Sequence, residues 1–373
     1  MPDQEAEEPR EPVPVEEPTG PLTRRKLIFG AVFTLAALGG LYFLVPKLAG
    51  LNQTWGKLKR GDPLYLIVAM FSELLSVAGY ALLFRTIFAR DNPRITWRAS
   101  IEIPLAGIAA IRLLAAAGAG GVAVTVWAVR RAGMSTRVIA CRMTAMYVLQ
   151  YGVYLAALVV CGLGLRYGPF TGSAPFPLTA VPAFLSAGAI VLVASMGLVP
   201  GDFERRLEQI AQRRGRIGRI AARFATAPAI VGTAVRTVIT LIRERRIGVL
   251  GAVAYWGFDI AVLGLSFRAF GTAVPVAVLV MGYFLGTLGS LLPLPGGIGG
   301  VEGGMIGAFV AFGVPGGSAV IGVLAYRAIS FWLPTLPGVL GYLALRKRVN
   351  RWQQEDARVA AAKTVAASPA GSG

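Results

Sequence analysis

The sequence predicts an all-α polytopic membrane protein with about six full spans and two glycine- and proline-broken re-entrant hairpins. Three observations carry that expectation. The 373 residues are 55% hydrophobic and only 15% charged, against about 25% charged residues in an ordinary soluble domain. Several apolar runs exceed 18 residues, long enough to cross a hydrocarbon core about 30 Å thick. Two further apolar stretches are interrupted by clusters of small residues, a pattern found at membrane depth where backbone lines a cavity or packs in protein.

Taken in order, residues 1–22 form an acidic, proline-rich segment, with seven acids and six prolines in the first 21 positions. Too little apolar surface is available there to offset chain entropy, so disorder is expected. Thr23-Arg24-Arg25-Lys26 then abuts a first span at 27–46, read as a signal anchor rather than a cleaved signal. Spans follow at 63–84, 138–163, 178–199, 247–267 and 317–345, and the interrupted stretches cover 100–129 and 274–313. Residues 202–246 carry eleven arginines and four acids, which reads as basic, partly amphipathic helix along anionic headgroups. The transmembrane domain is thus expected over 23–348, with a disordered tail over 349–373.

Sidedness follows from the excess of Lys and Arg in cytoplasmic loops. With the N-terminus inside and each interrupted stretch returning to its own side, 26 basic residues face the cytoplasm and six face outside. Both termini are therefore expected inside, in a multi-pass protein of the cytoplasmic (inner) membrane. The net charge of +18 becomes a sidedness signal, and no nucleic-acid recognition motif accompanies it.

The two interrupted stretches resemble each other. Residues 111–134 read IRLLAAAGAGGVAVTVWAVRRAGM and residues 289–314 read GSLLPLPGGIGGVEGGMIGAFVAFGV, with Gly120-Gly121-Val122 matching Gly299-Gly300-Val301. Each follows a span with one acid, Glu73 or Asp259, and precedes an aromatic-rich span. On the derived topology the halves 63–163 and 247–345 run in opposite senses, an inverted repeat of the kind that places transporter sites near the midplane at broken helices. The competing reading is that these glycines only let helices approach closely.

Ionisable groups within spans cost roughly 2.5–3.5 kcal/mol each on insertion scales, so they face partners, cavities or substrate. Glu73, Glu102, Arg112, Asp259, Glu302 and Arg327 are the candidates. Glu102 lies near the cytoplasmic interface and is expected to be solvated. Glu73 and Asp259 read either as structural partners of neighbouring groups or as coupling groups and counter-charges for a headgroup. Glu302 opens a half-helix after a break containing Pro293, Pro295, Gly296, Gly297, Gly299 and Gly300. A helix start of this kind favours phosphate, and Arg327 supplies a guanidinium fork suited to a phosphodiester. Glu302 and Arg327 are expected to pair when no lipid is bound; Arg112 either plays the comparable part in the first hairpin or simply snorkels.

No catalytic constellation, cofactor motif or metal set is apparent. With no histidine, a His-based triad and a His-liganded metal are excluded. Cys141 and Cys161 lie about 30 Å apart on one helical segment, too far to pair. Tyr80, Tyr147, Tyr151, Tyr154, Trp256, Tyr283, Tyr326 and Trp332 read as belt or packing residues rather than a cofactor box.

The runs YWGFDIAVLGLSFRAFG (255–271), LPLPGGIGGVEGGMIGAFVAFGVP (292–315) and AYRAISFWLPTLPGVLGYLALRK (325–347) resemble the lysylphosphatidylglycerol synthase transmembrane-region family, flippase-like integral membrane proteins of bacteria and archaea. The likeness covers roughly 27–348, although the first hairpin lacks the usual Pro-Gly form. It implies movement of a polar phospholipid or lipid-linked headgroup between leaflets. The only other partner implied is a separate lipid synthase or glycosyltransferase, because about 25 residues after the last span leave no room for a synthase domain. Two other functions are consistent with the residues: a non-catalytic accessory or scaffold for cell-envelope synthesis, and a polytopic lipid-modifying enzyme using Glu302 and Asp259 as acid and base.

Overall fold

A computed structural model of the chain describes residues 61–113, 119–198, 216–291 and 297–367. The acidic N-terminal segment, the first expected span, the 114–118 break, and Pro293, Pro295 and Gly296 lie outside the described residues. Among the described residues every element is helical. They are α1 (Pro63–Phe88), α2 (Trp97–Leu113), α3 (Ala119–Arg131), α4 (Thr136–Tyr167), α5 (Phe176–Leu198), α6 (Arg216–Arg243), α7 (Leu250–Ala269), α8 (Val276–Thr287), α9 (Gly300–Ala311) and α10 (Gly316–Ala367). Of these, α1, α4, α5, α7 and α10 are long and apolar enough to cross a membrane. Their outward residues are correspondingly apolar: Leu64, Ile67 and Phe71 on α1, and Leu185, Val191 and Leu192 on α5, are all mostly exposed.

The centre of the molecule is the antiparallel pair α1 and α7, which share the most extensive packing. Asp62 caps α1 by accepting the Leu64 N–H at 2.9 Å, and its own N–H donates to Ala269 O at 2.9 Å. The start of α1 is thereby tied to the end of α7. About four turns further along, Ser76 Oγ donates to Tyr255 O at 2.8 Å. Beyond that level a Cβ on Gly79 would come within 3.0 Å of Gly251 O, so the two backbones approach at small residues. In this antiparallel register, one turn back from Ser76 on α1 and one turn on from Tyr255 on α7 bring Glu73 opposite Asp259.

Around that pair, α2 packs on α3 and α10, α8 packs on α9 and α4, and α5 and α6 flank α4. Two apolar clusters form the interior. One gathers Leu83, Phe84, Phe88, Met146 and Tyr342 toward the arginine-rich end; the other gathers Phe267, Met281, Phe284, Met305 and Phe309 toward the opposite end. On α1, α7 and α10 the charged residues fall between the stretches that supply these two clusters, so they form a polar layer at mid-depth.

Three expectations change here. The tail expected to be disordered over 349–373 continues α10 as helix to Ala367. Val349 and Trp352 are buried in the first apolar cluster, and Asp356 pairs with Arg94, so contacts outweigh the polar composition. The helix within the basic segment is not only a surface element, because Ala234, Val235, Val238 and Leu241 are buried where α6 packs on α4 and α5. Glu102 is half-buried and paired rather than simply solvated: both its oxygens accept from Arg348, Nε and Nη2, at 2.7 Å.

Candidate functional site

The second hairpin builds one half of the layer. Gly297 and Gly299 have φ of 66° and 85°, a left-handed backbone that side chains with a Cβ disfavour, and this turns the chain sharply into α9. Glu302 sits in the first turn, 2% exposed. Its Oε2 accepts the Gly299 N–H at 2.6 Å, and its Oε1 accepts from Arg327 Nε at 2.6 Å. Glycine has no side chain to cap α9, so Glu302 alone supplies the reciprocal half of a capping box. Cap and ion pair are one arrangement: the same carboxylate closes the start of α9 and, as expected, holds Arg327.

Arg327 lies with its guanidinium carbon 5.3 Å from the centre of the Phe331 ring. Arg112, at the end of α2, lies 5.4 Å from the same ring and donates to Phe331 O at 2.6 Å and Thr335 Oγ1 at 3.2 Å. Phe331 is fully buried, and its π-face is attractive to cations. Two guanidiniums, one from each hairpin region, are therefore brought to a single aromatic ring beside Pro334. Pro334 has no N–H, so the α10 ladder is broken next to them.

The other half of the layer is the carboxyl pair. Glu73 is 3% and Asp259 8% exposed, and their carboxyls lie within hydrogen-bonding reach of each other. Tyr283 and Tyr326 both donate their hydroxyls to Asp259 Oδ2. Asp259 Oδ1 and Glu73 Oε2 are buried with no hydrogen-bond donor among the described residues. Arg112 is the cation whose charge reaches both carboxyls.

Five of the six charged candidates, Glu73, Arg112, Asp259, Glu302 and Arg327, thus enter one buried layer, while Glu102 pairs with Arg348 outside it. The hairpin glycines divide into two uses. Gly297 and Gly299 shape the turn. Gly121 lies against Ile111 and Gly107 O, and Gly300 lies against Gly289, so these two serve close helix approach; Gly120 is buried in the first turn of α3. Sequence reasoning missed Tyr283 and Tyr326, which it took as belt or packing residues, and did not single out Phe331. Phe331 lies four residues after Arg327, one helical turn away, which was the available signal; nothing local marks Tyr283.

Basic segments from distant parts of the sequence gather at one end of the bundle. Arg90 pairs with Glu244 at 3.4 Å, Arg142 with Asp91, Arg94 with Asp356 and Arg348 with Glu102. Cavities of about 550 Å³, lined by Arg90, Arg137 and Arg142, and of about 410 Å³, lined by Arg98, Lys347 and Arg351, open at this end.

The sequence profile of the lysylphosphatidylglycerol synthase TM region matches residues 27–338. The chain belongs to that family. UPF0104 membrane proteins of Methanothermobacter thermautotrophicus are relatives. One match is 24% identical over 327 residues, covering 83% of this chain and 92% of the relative. A second is 41% identical over 86 residues, 23% of this chain and 26% of the relative. A third is 32% identical over 115 residues, 30% and 33%. The shorter two span about a quarter and a third of those relatives' length. For this family member, both halves of the buried layer fall within the matched region.

Proposed function

We propose that this protein is a flippase-like transporter that moves a polar phospholipid or lipid-linked headgroup between the leaflets of the cytoplasmic membrane. The observation that carries the proposal is the buried layer in which Arg112 and Arg327 meet at Phe331, beside the glycine-turned start of α9. Guanidiniums and free helix N–H groups bind phosphate, and charges at such depth are retained where they meet substrate or an ion path. Headgroup phosphate would displace Glu302 from Arg327 and reach Arg112, while acyl chains stay in lipid.

We place the chain as an inverted repeat with both termini cytoplasmic. Matching contacts support the repeat: α2 on α3 answers α8 on α9, α2 on α10 answers α8 on α4, and α1 on α4 answers α7 on α10. Helices α8 and α9, with 12 residues each, reach about 18 Å, short of the roughly 30 Å core, as a re-entrant hairpin requires. The gathering of arginines at one end supports a cytoplasmic face there. The partners of this reading are anionic lipid headgroups and a separate lipid synthase or glycosyltransferase.

Reconstitution into proteoliposomes with a headgroup-labelled phospholipid and an outer-leaflet quencher tests the proposal. Faster loss of protected label than in protein-free vesicles is expected. Identical rates for both vesicle types, across zwitterionic, anionic and aminoacylated headgroups, would overturn it.

A further inference from the structure

The Glu73–Asp259 contact has a chemistry of its own. Two ionised carboxylates are acceptors only, so Asp259 Oδ1 and Glu73 Oε2, both buried without a donor among the described residues, cannot satisfy each other. The tyrosine hydroxyls do not help, since Tyr283 and Tyr326 both go to Oδ2. Charge tells the same story. Among the described residues the layer holds three carboxyls and two guanidiniums, and Glu302 forms an ion pair with Arg327 at 2.6 Å. Glu73 and Asp259 are left to share Arg112. With both ionised, one surplus negative charge would sit in a low-dielectric interior, where an unpaired charge is far costlier than at the surface.

Among the described residues, the other groups facing the pair come from four helices. From α2 comes Arg112. From α8 comes Tyr283, and from α10 come Tyr326 and, behind it, Arg327. On α7 itself Tyr255 stands one turn away, with Tyr151 of α4 behind it. The tyrosines are neutral donors at physiological pH, so they leave the charge count unchanged. A single added proton both neutralises the layer and provides the missing donor.

We infer that Glu73 and Asp259 form a site for one exchangeable proton, held between Glu73 Oε2 and Asp259 Oδ1, and that this proton is the coupling ion for headgroup movement. The second part rests on the transport reading above; the site itself does not. The exchange balances simply. An O–H bond on one carboxyl breaks as the proton leaves toward one aqueous face. The pair, now carrying two negative charges, draws Arg112 away from Phe331 O and Thr335, and the layer is re-neutralised when a proton arrives from the other face.

The test has two arms. Infrared spectra of the purified protein at neutral pH read the carbonyl stretch of protonated carboxylic acid directly, without any lipid transport. One such group per chain is expected, and it should vanish in both Glu73→Gln and Asp259→Asn, because either substitution leaves one carboxylate balanced by Arg112. Glu102→Gln should leave it intact, since Glu102 is held by Arg348. Both substitutions are near-isosteric, and helical content measured on the same samples shows that they fold. A signal absent from the wild type, or unchanged in both variants, overturns the site. In the second arm, a pH gradient of one unit across proteoliposomes should drive the labelled lipid toward an uneven leaflet distribution of up to about tenfold, lost in Asp259→Asn. A wild-type distribution indifferent to the gradient overturns the coupling. The infrared signal with no lipid movement under any condition upholds the site and refutes the lipid reading instead.

Discussion

Breaking the Glu302–Arg327 pair from one side should cost far more than removing it whole. Both side chains are inside, at 2% and 10% exposure, with Nε and Oε1 2.6 Å apart. Removing one partner of a buried pair leaves an uncompensated charge, at about 3–5 kcal/mol. Glu302→Leu should fall at the upper end, because it also strips the Gly299 N–H of its acceptor, a capping loss of about 1 kcal/mol. Arg327→Met keeps that cap and should fall at the lower end. The double variant E302L/R327M removes both charges and retains apolar volume, so only the cap and some packing are lost, about 1–2 kcal/mol in all. The singles together then exceed the double by several kcal/mol, well above the additivity error of about 0.5 kcal/mol. Unfolding of the four proteins by titrated denaturant in detergent micelles measures the cycle. Single variants costing less than about 1 kcal/mol each, with an additive double, would refute the reasoning and place the pair in contact with water.

Other consequences follow from single contacts. Val at Gly251 would push a side chain into Gly79 O and the Leu83 backbone, so Gly251→Val should destabilise by about 1–3 kcal/mol, read in the same unfolding assay, whereas Gly257→Val, with open space, should be near neutral. Tyr283→Phe removes one of two hydroxyls on Asp259 and should cost about 1–2 kcal/mol; the pair Tyr283→Phe and Tyr326→Phe should cost more than either alone. At the arginine-rich end, the hydrogen bond from Arg94 holds the Asp356 carboxyl below the usual carboxylate range. A carboxyl lowered in the folded state stabilises above its unfolded value and loses that contribution as pH falls. The end of α10 should therefore become more open to limited proteolysis below about pH 3.9, and Asp356→Asn should show the open pattern already at neutral pH.

The described spans were legible because a long apolar run admits few alternatives, and the five buried charges were legible because such residues are rare at membrane depth. What joined them was not. Glu102 finds Arg348 across 246 positions, and no local pattern announces that distance. Its solvated reading came from its nearness to the interface alone. Phe331 looks like any aromatic in an apolar helix until α2 delivers Arg112 to its face. The helical tail beyond residue 348 is polar enough to read as disorder, and Val349, Trp352 and Asp356, meeting partners from other helices, help to hold it. The glycines misled in the opposite direction: Gly121 and Gly300 look like broken backbone, yet they are close-packing positions, while Gly297 and Gly299 carry the turn.

The most direct measurement is the initial rate at which a labelled phospholipid headgroup crosses proteoliposomes bearing the double variant Arg112→Ala/Arg327→Ala. The wild type and Glu102→Gln, whose altered residue lies outside the buried layer, serve as references. Loss of the two guanidiniums proposed to bind phosphate should slow translocation by at least about tenfold, the equivalent of one charge-assisted hydrogen bond of roughly 1.4 kcal/mol, with Glu102→Gln close to wild type. Equal rates in all three proteins would contradict the account, because the headgroup would then be crossing somewhere other than the layer around Phe331.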